Sequence, residues 1–214
     1  MPNDIFDPTL DDVEVEISDN KISKGDEINL MEKDPTINNV LIGMGWILNA
    51  FDADTLDLDV SCFLLDRNGK TVLDEDFIFY NNLEARDGSV VHNGDNLTGA
   101  GDGDDESISI DLNGLPFEVI KVMFVMSIYK GEEKEQQMSS VRKPYIRLVN
   151  ASDSLEILRY DLAEDMQASN GETGMLVASL NREGPKWHFE AVGQLVAGGL
   201  AKIATDYDII VHTG

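Results

Sequence analysis

Apolar and polar residues alternate with period two along many short stretches of this chain, and turn-forming residues separate those stretches. The pattern predicts strands, because successive side chains of an extended backbone point to opposite faces. The segment DLDVSCFLLD, residues 57–66, puts Leu58, Val60, Cys62 and Leu64 on one face and Asp57, Asp59 and Ser61 on the other; RNGK then turns the chain at Asn68 and Gly69. ESISIDL directs Ile108, Ile110 and Leu112 inward, and KVMFVMSIYK directs Val122, Phe124, Met126 and Ile128 inward. Further strands are expected in DFIFY, PYIRLVNA, LEILRYDL, GMLVASLNRE and KWHFEAV, with GEEKEQQ and NASDSL as turns or loops. GGLAKIATDY differs. Its Leu200, Ile203, Ala204 and Tyr207 recur at helical spacing, so a short helix is expected to lie on a sheet edge or face. The sum predicts an all-β fold, a two-sheet β-sandwich with a short C-terminal helix.

The organisation is simple. A chain of 214 residues is long enough for one generous domain, and no internal repeat or low-complexity linker divides it. Residues 1–16 read as an acidic N-terminal extension and residues 17–214 as a single domain. Val13, Val15 and Ile17 alternate, but seven acids and two prolines precede Lys21, so this start is a tail or an edge strand.

Charge narrows the function. With 41 acidic against 16 basic residues the formal net charge is −25, which disfavours nucleic-acid binding by counterion release and favours cations. No apolar run approaches the roughly 18 residues of a membrane span, and the acidic start lacks the features of a secretory leader, so no membrane insertion and a cytoplasmic location are expected. One cysteine, Cys62, leaves no internal disulfide and no multi-cysteine zinc site; alternating with Val60 and Leu64, it is expected to act as a small hydrophobe.

The acids are unevenly spread. Gly94–Ile108 reads GDNLTGAGDGDDESI, with Asp95, Asp102, Asp104, Asp105 and Glu106 among four glycines and no Lys or Arg. Carboxylates about 4 Å apart repel by roughly 1 kcal/mol in bulk water and about 4 kcal/mol at an effective dielectric near 20, so the loop needs compensation or must splay. A loop folded over the Asp57/Asp59 face around a hard cation would satisfy it. Calcium accepts six to eight oxygens in irregular geometry, and Asn81, Asn82 and Asn96 add neutral ones. Zinc is disfavoured, since His92, His188 and His212 show no ligand spacing. Magnesium usually keeps several of its waters, and no EF-hand pattern is present. A solvated acidic loop is the competing explanation, weakened by the glycine interleaving and the lack of basic relief. His92, two residues before Gly94, reads as an ordinary loop histidine or as a donor supporting the loop.

Taken in order, ISKGDEINLMEK, VLIGMGW, DLDVSCFLLD, DFIFYNN, DGSVVHNGDNLTGAGDGDDESI, IRLVN, RYDLAED and WHFEAVGQLVAGGL resemble the tellurium-resistance TerD family over roughly residues 17 to 212. The resemblance implies a calcium-binding, two-sheet sandwich associated with resistance to tellurite and other chemical or oxidative stress. It also implies a cytoplasmic protein, in some cases gathered at the inner membrane with other stress-operon proteins. Carried over residue by residue, it implies metal ligands at Asp57, Asp59, Asp95, Asn96, Asp102, Asp104, Asp105 and Glu106, enough for two neighbouring Ca2+ ions. Asn81 and Asn82 match the family's Asn pair as ligands or loop braces. On this implication Asp104→Asn weakens ion binding and spares the fold. Two departures stand out: Ile47 occupies a position where the family commonly has Asp, and the acidic start is long.

No local signature of nucleophilic catalysis is present, so a non-catalytic module is expected. The rivals are a metal-dependent phosphoester hydrolase and an acidic scaffold that needs no ion. Tellurite is itself an oxyanion, which this acidic loop would repel.

Overall fold

Period-two segments become strands, and their inward residues meet between two sheets, in the computed structural model, which describes residues 20–47, 56–94 and 103–210. In chain order the elements are β1 (Lys21–Ile22), β2 (Glu27–Asn29), α1 (Leu30–Lys33), β3 (Asn39–Ile47), β4 (Leu58–Leu65), β5 (Phe77–Ile78), β6 (Glu84–Ala85), β7 (Val90–His92) and β8 (Glu106–Asp111). They continue with β9 (Lys121–Ile128), β10 (Arg142–Asn150), β11 (Leu155–Asp161), α2 (Ala163–Gln167), β12 (Gly174–Glu183), β13 (Lys186–Val196) and α3 (Gly199–Asp206). Among the described residues, sheet A has the order β1-β11-β10-β3-β8-β7-β6 and sheet B the order β2-β13-β12-β9-β4-β5. The β1–β11 pair is parallel. The central pairs of both sheets are antiparallel.

Between the sheets, Ile42, Met44, Ile108, Ile110, Ile146 and Leu148 of sheet A pack against Val60, Cys62, Leu64, Val122, Phe124 and Met126 of sheet B. The alternation predicted for β4, β8 and β9 therefore points the expected residues inward. The outer face of sheet B departs from simple alternation. There Phe63, Leu65, Phe77, Met123 and Val125 form a second apolar cluster with Ile203 and Ala204 of α3, against which Leu200 and Tyr207 also pack. All four residues of the predicted helical stripe thus lie on a sheet face. With both faces covered, every residue of β4 is buried, polar Asp59 and Ser61 included.

One expected strand is shorter than its segment, and a strand is added to those expected. DFIFY contributes only Phe77 and Ile78 to a strand. VLIGMGW, which lacks polar alternation, lies within β3 at the centre of sheet A, because Gly43 and Gly45 occupy outward positions where a polar residue would ordinarily mark a strand. Residues 1–16 lie outside the described residues.

Candidate functional site

The ladder of β4 is incomplete on one edge. β5 pairs only with Cys62 and Phe63, so Val60 lies beyond its reach and needs other hydrogen-bond partners. Two side chains supply them. Glu106 Oε2 accepts from the Val60 N–H at 3.0 Å, and His92 Nε2 lies 3.1 Å from the Val60 carbonyl and 3.3 Å from Glu106 Oε2. The Gly94 N–H donates to His92 Nδ1 at 3.2 Å, which leaves the ring proton on Nε2 to donate to Val60. Both side chains are buried. His92 stands at the entrance of the acidic loop and Glu106 at its exit, so the loop's two ends are fastened to the residue following Asp59.

The next two carboxylates face elsewhere. Asp104 lies on the outer side of sheet A, where Arg147 Nε and Nη2 donate to its two oxygens at 2.8 and 2.9 Å and the Tyr145 hydroxyl donates to Oδ1 at 3.0 Å. Burial, then the charge and hydrogen bond of Asp104, push the Tyr145 hydroxyl up to about 12, so it remains a donor. Asp105 accepts from the Trp46 N–H at 2.7 Å. Burial raises its carboxyl above the ordinary range and Asp104 adds to that rise, against the opposing Trp46 hydrogen bond.

Asp57 and Asp59 belong to the other sheet. Asp59, 7% exposed, sits on the outer side of β4 opposite Ser127 of β9, at a cleft of about 610 Å³ also lined by Phe79, Tyr80 and Tyr129. Tyr80 registers the local charge: burial pushes its hydroxyl up first, followed by Tyr129, Asp59 and Asp57. Asn82 is a turn brace, its amide donating to the carbonyls of Phe77 at 2.7 Å and Glu75 at 3.2 Å, whereas Asn81 is exposed.

The structure therefore brings Glu106 against the Asp57–Asp59 strand, directs Asp104 to the far face of sheet A, and joins Asp105 to β3. Asp95, Asn96 and Asp102 lie outside the described residues. Among the described residues, no three His, Cys, Asp or Glu side chains form a group able to hold a metal ion. The oxygen donors on offer nevertheless match a hard cation in kind, because Asp59 on β4 and Asp57 just before that strand both bear on Tyr80, and His92 and Glu106 on either side of the acidic segment are anchored at Val60, next to Asp59. Cys62 is fully buried, and burial, then Asp76, push its thiol far up, as suits a packing residue. Sequence reasoning overlooked Arg147 and Tyr145. Their signal was the outward position of both in PYIRLVNA, alternating with inward Ile146 and Leu148 and opposite two alternating glycines.

The chain matches the TerD domain model over residues 19–207. It is 48% identical over 188 residues to a tellurium resistance protein TerD of Serratia marcescens, covering 88% of this chain and 96% of that protein. Against general stress protein 16U of Bacillus subtilis it is 44% identical over 191 residues, covering 89% and 97%. A crystal structure of a homologue of telluride resistance protein (TerD) from Streptomyces coelicolor A3(2) superposes with a TM-score of 0.63 at 17% identity, over 78% of this chain and 95% of that one, a likeness of fold. A family match across nearly the whole described sandwich, with relatives close to half identical along almost their full length, means that the chain belongs to the TerD family.

Proposed function

We propose that this chain is a calcium-binding stress-response protein that acts by binding and scaffolding rather than by catalysis. The stress role is supported by the names of its relatives, which include tellurium resistance and general stress proteins. The observation that supports the calcium reading is the fastening of His92 and Glu106, which flank the acidic segment in the chain, to Val60, the residue after Asp59. Those two carboxylates, with Asp95, Asn96 and Asp102 of the loop and Asp105 at its exit, would hold the ion, and so many oxygens suit two neighbouring ions. When bound, calcium supplies positive charge that offsets the crowded carboxylates. The chain's own residues do the rest: His92 and Glu106 hold the loop ends, and the sandwich keeps β4 rigid beneath them. Its partners on this reading are other stress proteins, met in the cytoplasm or at the inner membrane surface; among the described residues no helix is long and apolar enough to cross a membrane.

Calorimetry on chelated protein tests the reading. Saturable uptake of calcium is expected, with affinity at least tenfold weaker in Asp59→Asn. At free calcium one hundredfold above the dissociation constant, stability should rise by about 2.7 kcal/mol. No uptake at millimolar calcium, or an equal stabilisation by the same concentration of magnesium, overturns it.

A further inference from the structure

The acidic block contains no Lys or Arg of its own, yet one of its carboxylates is matched by a distant cation. Arg147 of β10 pairs across sheet A with Gly43 of β3, and Tyr145 pairs with Gly45. The two glycines leave a shallow seat. A Cβ at Gly43 would overlap the Asp104 carboxylate, and one at Gly45 would stand 2.5 Å from the Tyr145 ring. Into this seat Arg147 delivers a two-pronged hydrogen bond to Asp104, while the Tyr145 hydroxyl donates both to Asp104 Oδ1 and, at 3.0 Å, to the carbonyl of Gly103. A second tier holds the first. Arg147 Nη1 also reaches Glu156 at 3.2 Å, Arg159 donates to Glu156 at 2.9 and 2.7 Å, and the Arg159 guanidinium lies 4.2 Å from the centre of the Tyr145 ring. Two arginines thus meet two carboxylates, and Asp104 is only 9% exposed within that balanced set.

We infer that Asp104 is the anchor of the acidic loop and not one of its metal ligands, with Arg147, Tyr145, Gly43 and Gly45 as the seat that positions the loop's exit. The GDGDDE block then divides its labour: Asp104 fastens the chain to sheet A, Glu106 fastens it to sheet B, and Asp102 and Asp105 are left for a cation. A competing ligand role makes the opposite demand on Arg147. If Asp104 coordinated calcium, the guanidinium would be its rival, and removing that rival would strengthen binding.

The test combines Asp104→Asn, Arg147→Gln and the double variant, first melted in chelator and then titrated with calcium. Only the second arm rests on the calcium reading. In chelator each single variant is expected to lower Tm by about 2–6 °C, the range for loss of one well-formed charged pair in a domain of this size, and the double variant should melt no lower than the weaker single. In calcium, Asp104→Asn should retain the wild-type stoichiometry with less than a tenfold loss of affinity, and Arg147→Gln should not bind more tightly than wild type. Tyr145→Phe, which keeps the ring and loses only the hydroxyl, substitutes where Arg147→Gln folds poorly; its Tm should fall less, again without adding to Asp104→Asn. The inference is overturned if the single variants leave Tm unchanged in chelator or add in full, if Asp104→Asn loses one equivalent of calcium, or if Arg147→Gln tightens calcium threefold or more. A wild-type protein that takes up no calcium defeats the proposed function, while the chelator arm still decides the anchor.

Discussion

On the outer face of sheet A, Arg147 and Tyr145 lie across Gly43 and Gly45 and hold the Asp104 carboxylate; on the outer face of sheet B, Phe63, Leu65, Met123 and Val125 are covered by α3. Each face carries part of the acidic constellation. On sheet A the carboxylate is met by a guanidinium and a hydroxyl, so its charge is satisfied within the protein. On sheet B, Asp59 is sunk beside a cleft, where burial first, then Tyr129 and then Asp59 raise the Tyr80 hydroxyl. The difference teaches that carboxylates close in sequence can have different occupations: a neighbouring cation makes one a fastening, and a position next to Val60, where His92 and Glu106 are anchored, makes another a candidate ligand.

If sheet B's outer face is a second core, removing its central ring should be the most damaging change. Phe63 is fully buried and stacks on Phe77 at 4.4 Å, so Phe63→Ala is expected to cost about 3–5 kcal/mol, roughly 10 °C in thermal melting. A cost under about 1 kcal/mol would break the contrast, because α3 would then be a loose cover. Sheet A's face should respond to added volume instead. Gly43→Ala puts a methyl group where the Asp104 carboxylate lies and is expected to cost about 1–3 kcal/mol by chemical denaturation; an unchanged midpoint would mean that the seat is not filled as described.

The smallest effect separates the polar face by pH. Glu156 is held below its ordinary value of 4.5, chiefly by the Arg159 hydrogen bonds and then by Arg147, against the opposing effect of burial. Its depressed value means that its contribution to stability is complete above about pH 4.5 and is lost as pH falls through the folded-state value. Glu156→Gln should therefore be less stable than wild type by up to about 1 kcal/mol at pH 7, with the gap closing on acidification below pH 4.5, as measured by denaturation across that range. A gap that is constant with pH would deny Glu156 its place in the network.

Much of the fold was legible in the chain. The inward sets Leu58–Val60–Cys62–Leu64 and Val122–Phe124–Met126–Ile128 form the core, and Leu200, Ile203, Ala204 and Tyr207 put α3 on sheet B. β3 escaped notice because its glycines hide the polar half of the alternation, and the two- and three-residue strands β1, β2, β6 and β7 are too short to show a period. The candidate site was legible as a list and not as a geometry. Asn82 was offered as ligand or brace, and its bonds to Phe77 and Glu75 make it a brace. His92 was offered as an ordinary loop histidine or as a donor supporting the loop, and its burial against Val60 favours the donor; its partner stayed hidden because an open ladder on β4 cannot be seen from local sequence.

By itself the sequence determined which segments are extended, which faces are apolar and where the acids are concentrated, since these follow from side-chain period and composition. Which acid meets which partner follows from contacts between segments distant in the chain. Arg147 lies 43 residues from Asp104, and Val60 lies 46 residues from Glu106; strand pairing and sheet packing, which no local pattern records, bring their charges and hydrogen bonds within reach.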